Sequence, residues 1–349
     1  MKVLCIGDPH IKSDNITDVN LFIEKLCQLI EAEIPDLIVV LGDVLHYHER
    51  VQSIAMNKAY EFIQRLKEYT LVIILVGNHD AYNNQIFLSG NHWMNGMKEW
   101  ENVIVVDKIL HHHTDDLHFV FVPYVPPGRF QEALNTNEED WKKADCIFAH
   151  QEFYGCKLGA IVSVDGDRWP LEYPRIVSGH IHGKQTPQKN IYYCGSAMQH
   201  AFGESEQNII AVLTWPGGKL VEHDLQLPRK RIVYKDVSAM EDYNPEETED
   251  KIKITVSGVY DEFKAFKKTK KYRELIKTGK KVVFKPKKHD LKKDEQKLLD
   301  QTVDETDFNK ILHNLVVAEK NRYLFQVHEL VVRNREISED DVIFLDTDK

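Results

Sequence analysis

The chain has 349 residues, 42% of them apolar and 29% charged, which is enough for a sizeable core and long enough for two domains. Its formal net charge of −10 excludes a uniformly basic nucleic-acid binder, and no apolar run approaches the roughly 18–20 residues of a membrane span. The opening segment Met1–Asp8 reaches a carboxylate too soon for a secretory signal, and Cys5, Cys27, Cys146, Cys156 and Cys194 form no CxxC pair, so reduced thiols and a cytoplasmic location are expected.

Short Val- and Ile-rich runs recur along the chain and predict buried strands: Val3–Ile6, Leu37–Leu41, Leu71–Val76, Val103–Val106, Phe119–Val122, Cys146–Ala149, Arg175–Val177, Ile191–Cys194 and Ile209–Leu213. Between the first three lie helical stretches. Asp18–Glu33 puts Leu21, Phe22, Leu26, Leu29 and Ile30 on one face; Ser53–Tyr69 does the same with Met56, Ala59, Tyr60, Ile63 and Leu66, with Ser53 as N-cap. The βαβαβ order predicts parallel strands. From Phe119 onward strands dominate, as in a second sheet packed on the first. The pattern loosens near Leu227–Arg231. A separate unit follows, with strand Lys251–Val256, helix Tyr260–Lys277, a stop at Gly279 and strand Lys281–Phe284. An acidic connector, Asp300–Asp307, leads to a last helix, Phe308–Val332. The expected domains are therefore 1–235, 236–290 and 291–349.

Chemistry-bearing residues sit at the ends of the predicted strands. The runs lead into Gly7-Asp8-Pro9-His10, Gly42-Asp43, Gly77-Asn78-His79-Asp80, His150 and Gly179-His180-Ile181-His182. In an open α/β sheet the strand C-termini share one edge, where ligands bind. Carboxylate, amide oxygen and imidazole without thiolate suit Mn2+, Fe or Zn2+. Seven such residues are too many for one four-coordinate ion. They suit two ions about 3.5–4 Å apart that share Asp43, clamp a phosphoryl group and activate water.

These motifs, in this order, resemble the signature of the calcineurin-like metallophosphoesterase superfamily over residues 1 to about 228. The resemblance implies an α/β (α+β) fold: a β-sandwich flanked by helices, here followed by a small βαβ cap domain and a C-terminal helix. It implies one metal on Asp8, His10, Asp43 and His182, and a second on Asp43, Asn78, His150 and His180, most simply two Mn2+ ions. His79 would face the substrate phosphate and leaving group, and Asp80 would hold the His79 imidazole from behind. Gly42-Asp43-Val44-Leu45-His46, Gly179–Gln185 and the Gly195-Ser196…Phe202-Gly203-Glu204 segment resemble the SbcD-type double-strand-break repair nuclease subunit more than the protein Ser/Thr phosphatases. That resemblance implies a DNA exonuclease/endonuclease acting in repair or recombination with an SbcC-like coiled-coil ATPase, and a substrate-placing role for His46. The alternative is a stand-alone phosphodiesterase or phosphatase on small-molecule or protein substrates. One departure is Asp8-Pro9-His10-Ile11-Lys12, where the family usually has a Trp and then His-Leu-Gly.

The stretch Lys264–Lys297 carries 15 basic and 4 acidic residues. It falls where that family has a DNA-contacting cap, so Lys267, Lys268, Lys270 and Lys271 are candidate DNA contacts. The last helix is apolar on more than one face, which suggests a dimer mate or a groove on the ATPase coiled coil. Of the remaining histidines, His111-His112-His113 is read as a solvated turn between strands, His48 and His92 as loop residues near the motifs, and His200 as a residue approaching the cleft. Trp93, Trp100, Trp141 and Trp169 are read as packing anchors.

Overall fold

The computed structural model describes residues 1–47, 50–114, 116–286, 305–319 and 321–332. The first sheet is built from β1 (Lys2–Ile6), β2 (Leu37–Val40), β3 (Leu71–Leu75), β4 (Val103–Val106), β13 (Ile210–Thr214) and β14 (Lys219–His223), in the order β14-β13-β1-β2-β3-β4. Strands β1 to β4 are parallel, and β13 and β14 are added antiparallel. Helices α1 (Ile16–Glu33) and α2 (Ser53–Lys67) make the crossovers. Gln52, not Ser53, occupies the N-cap position of α2, and no side chain caps it.

The second sheet contains β5 (Leu110–Thr114), β6 (Leu117–Val122), β7 (Cys146–His150), β10 (Ile176–Gly179), β11 (Gln185–Gln188) and β12 (Ile191–Tyr193), in the order β11-β12-β10-β7-β6-β5. A small hairpin of β8 (Lys157–Leu158) and β9 (Ile161–Val162) projects beside it.

Strand alternation explains the layering. Val3, Cys5, Val39, Ile73 and Leu75 point from the first sheet onto Phe119, Phe121, Phe148 and Val177 of the second. Leu4, Ile6, Ile38, Val40 and Ile74 point the other way, onto Phe22 and Leu26 of α1 and Phe62 and Ile63 of α2. The outer face of the second sheet is covered by Phe130 of α3 (Phe130–Leu134), Trp141 and Trp169. Both sheets are thus buried on both faces, which is why their central strands read as unbroken apolar runs. Each large apolar side chain so buried contributes roughly 1.5–3 kcal/mol.

A three-stranded parallel sheet follows: β15 (Lys230–Asp236), β16 (Lys251–Gly258) and β17 (Lys281–Pro286). It starts at Lys230, inside the segment expected to belong to the first domain. The expected single helix Tyr260–Lys277 is two, α4 (Tyr260–Phe266) and α5 (Lys270–Lys277). The Thr269 side chain accepts from the backbone N–H of Tyr272 and starts the second. Phe263, Phe266 and Leu275 seal both helices onto the sheet. Lys230 pairs with Lys251 and Lys253 with Lys281, so the strand starts share one end. That end meets the sandwich: Lys251 Nζ lies 2.6 Å from an Asp18 carboxylate oxygen, and Lys230 Nζ donates to the carbonyls of Gln199 and His200 at 2.5 and 2.9 Å.

The expected last helix is also broken. Helix α6 (Glu305–Ala318) ends before Asn321, whose side chain caps α7 (Arg322–Val327), and a π turn (His328–Val332) follows. Val316 and Phe325 pack together, while Ile311, Leu315, Tyr323 and Val331 are exposed. The start of the connector, the basic residues from Lys287 to Lys297, His48 and His289 lie outside the described residues. Among the described residues no helix is long and apolar enough to cross a membrane.

Candidate metal centre

The C-terminal ends of β1, β2 and β3 in one sheet and of β7 and β10 in the other meet at one edge of the sandwich. The backbone there is unusual. Asp8, His10, Asp43 and His180 all have left-handed φ values, at 41°, 44°, 50° and 78°. Each such residue costs on the order of 1–3 kcal/mol, which the surrounding structure must impose, and residues of this kind cluster at functional sites. Two glycines make the close approach of the strand ends feasible. Gly42 has φ 101°, and a Cβ there would lie 2.5 Å from His150 Nδ1; a Cβ on Gly77 would run into the Asp43 carboxylate.

The two buried carboxylates each spend one oxygen on a loop and aim the other into the cleft. Asp8 Oδ1 accepts from the backbone N–H of His180 at 2.8 Å, and its Oδ2 is buried without a hydrogen-bond partner. Asp43 Oδ1 accepts from the backbone N–H of His79 at 2.9 Å. Its Oδ2 stands between two imidazoles, 3.6 Å from His10 Nε2 and 3.4 Å from His150 Nε2. On the first side, His10 Nε2 is 2.9 Å from His182 Nε2. On the second, Asn78 Oδ1 is 3.0 Å from His150 Nε2 and 2.8 Å from His180 Nδ1. Two sets of donor atoms result, Asp8–His10–Asp43 and Asp43–His150–His180, with Asp43 in both.

The rings are held from behind. His150 Nδ1 donates to the carbonyl of Leu41 at 2.6 Å, which fixes the ring and turns Nε2 to the cleft. Glu204 approaches His182 Nδ1 at 3.4 Å and does the same for that ring. Glu204 is itself clamped by the backbone N–H groups of His200 and Ala201. His200 Nε2 donates to the carbonyl of Asp8 at 2.8 Å, so it approaches the cleft as expected and braces the first loop. The sequence assigns neither brace a role; their proximity to the predicted ligands is the signal that could have found them. Tyr124, also missed, packs its ring against His180 at 5.5 Å.

These residues fit divalent cations. Metal–ligand bonds of about 2.0–2.2 Å place neighbouring donors about 3 Å apart, and the donor pairs above span 2.8–3.6 Å. Charge points the same way. Burial pushes the Asp8 carboxyl up, and the Asp43 charge adds to this. Burial would raise Asp43 too, but the His150 charge and hydrogen bond outweigh it and hold that carboxyl well below its usual range. A buried carboxylate without full compensation, as at Asp8, calls for positive charge.

Asp80 has a different task from the expected one. Its Oδ2 accepts from the backbone N–H groups of Val44 and Gly77, and its Oδ1 from the N–H of Leu45 and the indole of Trp93. It ties the β2 and β3 loops together. The His79 ring meets the main-chain carbonyl of His46 through Nδ1, at 2.6 Å, and the His46 and His79 rings lie nearly parallel 5.7 Å apart. His92 pairs with Asp107 at 3.3 Å. His111, His112 and His113 are not a solvated turn: they form the body of β5.

Residues 1–184 match the model of the calcineurin-like phosphoesterase family, and every candidate ligand falls within that span. The chain belongs to this family. Among its relatives are two iridescent virus proteins with provisional phosphoesterase names. Protein 078R of Invertebrate iridescent virus 3 is 46% identical over 82% of this chain and 84% of its own length. Protein 244L of Invertebrate iridescent virus 6 is 46% identical over 77% of this chain and 98% of its own. The SbcD component of the SbcCD nuclease of Staphylococcus saprophyticus is 21% identical over 59% of this chain and 63% of its own length. The sandwich described above is the calcineurin-like fold, and the three-stranded sheet at the expected cap and the C-terminal helices lie outside the family match.

Proposed function

We propose that this calcineurin-like phosphoesterase hydrolyses DNA phosphodiesters with two divalent cations, most simply Mn2+, as the nuclease partner of an SbcC-like coiled-coil ATPase in double-strand-break repair or recombination. The observation that carries two-metal phosphoesterase chemistry is the Asp43 oxygen standing between two imidazole-bearing donor sets. Three features support DNA as the substrate: the similarity to the SbcD component of the SbcCD nuclease, the exposed Lys267, Lys268 and Lys270 at the α4–α5 junction with half-buried Lys271, and the cap end seated beside the loop that carries Glu204. The viral relatives suggest work in the cytoplasm of a host cell.

Asp8, His10, Asp43 and His182 would hold one cation, and Asp43, Asn78, His150 and His180 the other. When bound, the pair supplies Lewis acidity for the phosphate oxygens and lowers the pKa of the attacking water. The protein's own groups do the rest. His79, fixed by the His46 carbonyl, faces the scissile phosphate, stabilises developing charge and protonates the leaving 3′ oxygen. The His46 ring places the phosphate or terminal nucleotide. Because the chemistry is on the backbone, sequence preference is weak.

The viral names fit a stand-alone phosphodiesterase or phosphatase equally well. Digestion of linear duplex DNA with Mn2+, with and without the ATPase, separates the two. Cleavage stimulated by the ATPase supports the proposal. Hydrolysis of bis(p-nitrophenyl) phosphate with no DNA cleavage under either condition favours the alternative.

A further inference from the structure

The triple histidine of β5 carries an inference of its own. Side chains alternate along a strand, so His111 and His113 share one face while His112 takes the other, against Phe121. The β5–β6 register sets His118 opposite His113, and Glu139 arrives from the loop before Trp141. The polar atoms of His111, His118 and Glu139 converge. His111 Nδ1 is 2.8 Å from His118 Nε2. Glu139 lies 3.5 Å from each of those atoms and hydrogen-bonds His113 Nε2. The His113 and His118 rings stack at 4.3 Å. The His111 side chain is 2% exposed, and its Nε2 is buried without a hydrogen-bond partner. The cluster is remote from the catalytic edge. Phe119 pairs with Cys146, which puts His118 beyond the start of β7, whereas His150 is at its end.

We propose that His111, His118 and Glu139 form a second, non-catalytic metal site that takes one Zn2+ ion, with His113 holding Glu139 in place from outside it. Two imidazoles and a carboxylate, completed by a water, are a tetrahedral zinc donor set, and donors at bonds of about 2.0–2.2 Å sit roughly 3.3 Å apart, close to the 2.8–3.5 Å here. Imidazole donors also rank Zn2+ above Mn2+. The ion ties the β5–β6 hairpin to the loop carrying Glu139, so its binding stabilises the folded chain.

The test uses the full chain saturated with Mn2+ and then exposed to Zn2+, with bound metal counted and Tm measured. The wild type should take up one Zn2+ more than the Glu139→Gln and His111→Ala variants, and its Tm should rise with Zn2+ where theirs does not. Glu139 is partly exposed and Gln keeps its shape, so that variant folds even if His111→Ala does not. Mn2+-dependent hydrolysis of bis(p-nitrophenyl) phosphate should be unchanged in Glu139→Gln. Equal Zn2+ uptake by wild type and Glu139→Gln, or a Zn2+-induced Tm rise that survives the substitution, would overturn the proposal.

Discussion

The seven candidate donors of the proposed metal cradle run from Asp8 to His182 in sequence, and Asp8, His10, Asp43 and His150 are all at most 2% exposed. The lysines of the cap occupy five consecutive positions interrupted once, and most face water. The cradle exists only once two sheets have packed, and its atoms are interdependent: Asp43 touches both donor sets and the His79 loop. The cap offers charge, which acts at a distance and nearly additively. Damage should therefore be all-or-none in one region and graded in the other.

The largest effect is expected at Asp43. Substituting groups that merely orient metal ligands costs 10–100-fold, so Asp43→Asn should remove more than roughly 10²-fold of phosphodiesterase activity and more than Asp8→Asn does. Equal losses in a kinetic comparison would break the idea of a shared carboxylate. Next is His79→Asn, which should keep metal and DNA binding yet lose roughly 10²-fold in rate, the scale of a missing general acid; parallel loss of DNA affinity would assign His79 to binding instead.

A third effect is set by pH. Burial would lower the pKa of His150, but the charge and hydrogen bond of Asp43 outweigh it and raise that pKa to about 9 from an ordinary 6.5. In metal-free protein the contribution of this ion pair is fully present below 6.5 and is lost as pH rises through about 9. A cation must displace that proton, so metal affinity should climb with pH and level off above about 9. Calorimetric titrations across this range check it; a flat profile would mean that His150 is already neutral. The smallest effect is in the cap. Each Lys→Ala change at 267, 268, 270 or 271 should flatten the salt dependence of duplex binding by about 0.9 in log–log slope and leave hydrolysis of small phosphodiesters untouched. An unchanged slope in the fourfold variant would remove these lysines from the proposed DNA interface.

The contrast also explains what the sequence made legible. Gly42-Asp43, Gly77-Asn78-His79 and Gly179-His180-Ile181-His182 follow strands buried on both faces, whose apolar runs are conspicuous, and so both the sandwich and the ligand cluster could be anticipated. Strands β5, β11, β14 and β15 escape the sequence pattern because edge strands carry polar residues, such as Leu110–Thr114, Gln185–Gln188 and Lys230–Asp236. The Asp80 partners were misjudged because its neighbours Leu45 and Trp93 are brought in by tertiary packing. The breaks in the C-terminal helices rest on single caps, Thr269 and Asn321, inside otherwise helical patterns.

The central claim, two cations sharing one carboxylate, is tested most directly by counting tightly bound Mn2+ per chain in a Glu139→Gln background with and without Asp43→Asn. The account predicts two ions with Asp43 intact and loss of occupancy at both positions without it. Two fully occupied sites in the Asp43→Asn chain would contradict it.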